Sequence, residues 1–144
     1  MAKCNVFSKK RTQKDRNRKL YTQMNKLELN YLKEQLNKIN SFETTFHADD
    51  KFYELELNTY YIKKLLGKFE IDNIIEYNTG RNGAERRVVV EDHTPIKCDN
   101  GKVVCASYSI DLDTGFIITV WVNLITDKHE TVDMSYYNEN LKII

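Results

Sequence analysis

The sequence predicts an α+β protein, a single domain over residues 1–144, with N-terminal helices packed on a curved antiparallel sheet of about four strands. Three observations point there. Residues 12–40 hold no Gly or Pro, and their apolar residues recur at steps of three and four, the spacing of one helical face. From about residue 70 the apolar period falls to two, with Gly-containing turns between the runs. Helical segments come first and hairpin-linked strands follow, an order that places helices against one face of an antiparallel sheet.

In the first segment, Leu20, Met24, Leu27 and Tyr31 form one apolar stripe and Leu29, Leu32, Leu36 and Ile39 a second. Two offset stripes predict a long helix covered on a broad side, packed on its own domain or on a second copy to make a homodimer. Phe42, Thr44, Thr45 and Phe46 interrupt it with residues that favour extended backbone. A second helix is expected over "DDKFYELELNTYYIKKLLGK", capped by Asp49 or Asp50 and ended by Gly67, with a short strand at Phe52–Leu57 as the alternative. "NIIEYN" and "ERRVVVED" read as two strands around the turn "TGRNG". "HTPIKCDNGK", with the only proline, reads as a loop, "KVVCASYSIDL" and "FIITVWVNL" as the third and fourth strands, and the remainder as a loop with a closing helix or strand.

Alternation assigns faces. In the fourth strand Phe116, Ile118, Val120 and Val122 form an apolar face, while Ile117, Thr119, Trp121 and Asn123 form the other. With Arg86 or Arg87, Ser107, Ser109 and Asp111, a concave polar face is expected, with His129 near its rim. A guanidinium can hold phosphate with two hydrogen bonds and an indole can stack a base, so this face fits RNA as well as plain solvent.

Net charge is +1, but it is unevenly spread. Residues 1–20 carry eight cations against Asp15, a net of +7, and the other 124 residues hold fourteen cations against twenty carboxylates, a net of −6. Residues 1–19 therefore form a basic N-terminal arm, expected to run into the long helix. Lys9, Lys10, Arg11, Lys14, Arg16, Arg18 and Lys19 are its candidate phosphate contacts, beside Arg86 and Trp121 on the sheet. Three cysteines without a CxxC pair argue for reduced thiols and a cytoplasmic setting. No apolar run reaches membrane-spanning length and none follows the first lysines, so neither a membrane helix nor a secretory leader is expected.

No metal is expected: Asp127, His129 and Asp133 stand at irregular steps, better explained as turn caps beside a solvated His. No phosphate-binding glycine loop occurs, so no nucleotide cofactor is expected. Cys105, mid-strand among apolar residues, reads as an inert thiol, His93 as a surface residue, and Asp49 and Asp50 beside His47 as capping groups.

"RRVVVE", a Gly turn and "CASYSIDLDTGFIITVWVN", preceded by "FHADDKFYELEL", resemble the strand order of small bacterial and phage ribonuclease-like domains of the barnase, EndoU, colicin and RelE group. The resemblance covers roughly residues 45–138. It implies metal-independent RNA cleavage, toxin-like or as a phage accessory, with His47 as acid or base, Arg87 clamping phosphate and Thr119 donating beside Ser107 or Ser109. The chain departs from the group in lacking a second His on the sheet and in placing Asp111 where it would repel phosphate. The competing expectation is a non-catalytic phage or bacterial interaction protein that binds and inhibits a protein partner, or binds nucleic acid through the arm.

Overall fold

The computed structural model of the chain describes residues 17–127, 129 and 133–144. Its elements are β1 (Arg18–Leu20), α1 (Lys26–Asn37), β2 (Glu43–Thr44), α2 (Phe46–Glu54), α3 (Tyr60–Lys63), β3 (Ile74–Asn78), β4 (Arg87–Lys97), β5 (Val103–Asp111) and β6 (Phe116–Leu124), with three short 3-10 turns between and after them. The fold is α+β. The sheet has six strands rather than about four, in the order β1-β3-β4-β5-β6-β2. It is mixed, because β2 runs parallel to β6 while the other pairs are antiparallel.

The long helix over residues 12–40 is corrected: a strand precedes it and α1 starts only at Lys26. Arg18, Lys19 and Leu20 pair with Asn78, Tyr77 and Glu76 of β3, so an edge-strand pairing overrides helix-favouring composition. Asn25 then starts α1 with a reciprocal cap: its side chain accepts from the Glu28 N–H at 2.8 Å, and Glu28 accepts from the Asn25 N–H at 3.0 Å. The second stripe faces the core, with Leu32 and Leu36 fully buried, whereas Leu27 of the first stripe is exposed.

The second helix is corrected too. Thr45, not Asp49 or Asp50, caps α2, accepting from the Ala48 N–H at 3.0 Å while its hydroxyl donates to the Ile118 carbonyl at 3.0 Å. A left-handed backbone at Glu56 (φ 51°) then separates α2 from α3.

Tyr108, Ile110, Val88, Val90, Val104, Ala106, Val120 and Val122 build the sheet's contribution to the core, against Leu32, Leu36, Phe52 and Ile62 of the helices. Two irregularities adjust this alternation. β4 runs on through Pro95 to Lys97, because the register shift between Asp92 and Ile96 takes the proline out of the ladder. The segment read as a loop is therefore half strand. In β6, Ser109 pairs with Thr119 but Ile110 pairs with Ile117, so Ile118 is an extra residue. That bulge sends Ile117 into the core and leaves Phe116 and Ile118 half-buried, the reverse of strict alternation at this end.

Among the described residues no helix is long and apolar enough to cross a membrane. Cys98 is disulfide-bonded, which departs from the expectation of three reduced thiols, and Cys105 is a buried free thiol.

Candidate functional site

The sheet face opposite the helices carries three rows of facing residues. The first is Asn78, Arg87 and Asp111; the second is Glu76, Val89, Ser109 and Thr119; the third is Glu91, Ser107 and Trp121. Arg87, Thr119 and Trp121 thus share a face, with Ser107 and Ser109 between them. The face is not the wet surface expected, since Ser107, Ser109 and Asn123 are buried and Tyr137, which is fully buried, donates to Glu76 there.

His47 does not join them. It is exposed on α2, a helix that lies on the other side of the sheet, with Phe52 stacked near Tyr108. Arg86 is also on the helix side, where it donates to Asp113 at 2.8 Å, to the Tyr31 hydroxyl at 3.0 Å and to Gln35 at 3.3 Å. Arg87 is ion-paired with Glu85 and stands opposite Asp111, the carboxylate that would oppose a phosphate. Arg18 pairs with Glu76 at 3.4 Å, and Lys19, almost fully buried, pairs with Glu28 at 2.8 Å. Lys9, Lys10, Arg11, Lys14 and Arg16 lie outside the described residues.

The arrangement that gathers chemistry instead centres on Glu91, 7% exposed on β4. One carboxylate oxygen is 2.8 Å from His129 Nε2 and the other 3.4 Å from His93 Nδ1. The Nε2 of His93 lies 2.9 Å from the Asp72 carbonyl oxygen, so that nitrogen carries a proton. His129 sits in left-handed backbone (φ 58°), and its N–H donates to the Asp127 side chain at 2.9 Å. His93 stands two positions after Glu91 on β4, the spacing that puts both side chains on one face of a strand.

Hydrogen bonding to Glu91 raises the His129 pKa above its ordinary 6.5; burial opposes this, and the charges of Glu91, Asp127 and Glu76 assist. Cys105 is pushed up to about 12, first by burial, then by the charge of Glu91 and a hydrogen bond to it. That thiol is a proton donor, not a nucleophile. Glu91, His93 and His129 line a pocket of about 860 Å³, with Tyr21, Leu29, Ile71, Ile74 and Ile75 as its apolar wall and Glu70 and Asp72 also on its lining. Chemically the cluster can hold or move a proton at His129 and can place negative charge against a ligand.

The expectation of a solvated His129 is corrected, and the surface His93 is not isolated, since both rings face the Glu91 carboxylate. Glu91 is not among the residues that the sequence singles out. The available signal was a carboxylate alternating onto a face with Val89, which demands a partner when buried. Among the described residues no group of three or more His, Cys, Asp or Glu side chains is placed to hold a metal ion. No family model, curated protein or solved structure matches this chain.

Proposed function

We propose that the protein is a nucleic-acid-associated accessory protein whose phosphate contacts come from its first sixteen residues rather than from residues 17–144. The carrying observation is that the candidate cations of the body are already paired: Arg18 with Glu76, Lys19 with Glu28, Arg86 with Asp113 and Arg87 with Glu85. Residues 1–16 hold six cations against one carboxylate, a net of +5, while the remaining 128 residues hold sixteen against twenty, a net of −4. Cations on such a segment release condensed counterions when they meet a phosphate backbone, which makes binding steeply salt-dependent. RNA is the favoured partner.

Replacing Lys9, Lys10, Arg11, Lys14 and Arg16 by Gln in the full chain tests this. Single-stranded RNA affinity should collapse, and the slope of log affinity against log salt should flatten by about 3. Arg87→Gln should leave both unchanged. An unchanged slope in the five-fold variant refutes the reading.

A second reading, metal-independent RNA cleavage, is favoured by one observation: two imidazoles on one buried carboxylate form an acid–base pair at Glu91. It moves the chemistry from His47, Arg87 and Thr119 to His93 and His129. Labelled RNA incubated with the protein in EDTA should then be cut by the parent and by His47→Ala, but not by His129→Ala. Intact RNA with the parent protein refutes it.

A further inference from the structure

The pocket beside Glu91 combines an apolar wall with an unusual charge set. Its described lining holds three carboxylates and two imidazoles but no Lys or Arg. Leu29, Ile74 and Ile75 supply surface that favours an aliphatic stem. Among the described residues, Glu91 faces two imidazoles and no Lys or Arg pairs with it, whereas Glu76, also buried, has Arg18. A carboxylate so enclosed is expensive without a positive partner. An anion entering here would meet three like charges. A neutral ligand would gain nothing from them.

We propose that this pocket binds a small organic cation, a primary ammonium on an aliphatic stem, with its charged end against Glu91 and its stem along Leu29, Ile74 and Ile75. The inference does not depend on the N-terminal segment and goes beyond its nucleic-acid role.

The ligand's ammonium takes the place of the proton on His129 as the charge that balances Glu91. The groups acting on His129 are Glu91 from β4, Glu76 from β3 and Asp127 from the turn after β6, with His93 of β4 beside the other oxygen of Glu91. An alkylammonium stays charged to about pH 10. Proton and ligand therefore compete, and binding strengthens as pH rises through the titration of His129.

Hexylammonium titrated into the full-length protein, followed by NMR of the histidine ring signals, tests the proposal. Hexanoate, hexanol and N-acetyl-lysine amide serve as parallel probes. Hexylammonium should shift the His129 and His93 signals and bind about tenfold more tightly at pH 8 than at pH 5.5. Hexanoate and hexanol should leave those signals in place. Asp72→Asn, a change at an exposed residue that spares the core, should weaken hexylammonium several-fold. N-acetyl-lysine amide binding more tightly than hexylammonium assigns the cation to a lysine of a protein; the reverse assigns it to a free amine. Hexanoate or hexanol matching hexylammonium, pH-independent binding, or signals that stay in place with hexylammonium would overturn the proposal.

Discussion

Two buried carboxylates on the same sheet face, Glu76 and Glu91, have opposite surroundings. Glu76 accepts from Tyr137 at 2.6 Å, from Asn78 at 3.3 Å and from Arg18 at 3.4 Å. Among these contacts a guanidinium supplies the positive charge and an amide and a phenol supply neutral donors. Glu91 accepts instead from His129, with His93 beyond, at the edge of an open pocket. Its close partner is an imidazole, whose proton is held by that contact. The same residue type is a structural fastener in one place and an adjustable charge in the other, and the difference is set by the partner, not by depth.

The two sites also do different mechanical work. Tyr137 bonds to Glu76 while the chain beside it bridges β1: Asn138 N–H donates to the Arg18 carbonyl at 2.7 Å. The Glu76 network therefore fastens the C-terminal segment and the edge strand β1 together. Lys19 adds a second fastening from the other face of β1, donating to Glu28 at 2.8 Å and to the Leu141 carbonyl at 3.2 Å.

Three substitutions sharpen or break this contrast. Glu76→Ala should be the most damaging, costing about 3–5 kcal/mol because it removes the buried carboxylate on which Arg18, Asn78 and Tyr137 converge. Urea denaturation should give a large cost at both pH 5.5 and pH 8.5, somewhat larger at pH 5.5 because the Glu76 charge also helps hold the proton on His129; a cost that vanishes at pH 8.5 would erase the distinction. His129→Ala should cost about 2–3 kcal/mol at pH 5.5, where it leaves Glu91 without its main cation. Because the folded pKa of His129 is raised, its contribution is fully present below the unfolded value of 6.5 and is lost as pH rises through the folded value. The cost at pH 8.5 should therefore be clearly smaller, and an equal cost would mean that the imidazole acts only as packing. Tyr137→Phe should have the smallest effect, about 1–1.5 kcal/mol for one lost bond to a carboxylate that keeps two other donors. Thermal denaturation of that variant should show a modest drop at every pH.

Much of the sheet was legible in the sequence because β3, β5 and β6 are runs of β-favouring residues bounded by turns. What escaped were features decided by pairing across distance. Arg18–Lys19–Leu20 has helical composition and becomes a strand only because β3 offers an edge. Glu43 and Thr44 form a two-residue strand that exists only against β6. Pro95 disguised the second half of β4, and a bulge at Ile118 inverted the faces at one end of β6. The candidate site was harder still. Glu91 and His129 are 38 positions apart, and neither belongs to a spacing pattern. His47, attractive because it neighbours carboxylates in sequence, is separated from Arg87 and Thr119 by the sheet itself.

The most direct measurement is an NMR pH titration of the His129 imidazole in the parent protein and in Glu91→Gln. Glu91 held by an exchangeable imidazolium predicts a His129 pKa above 6.5 in the parent and a fall when the carboxylate is replaced. A parent value at or below 6.5, or one that does not move in Glu91→Gln, would contradict it.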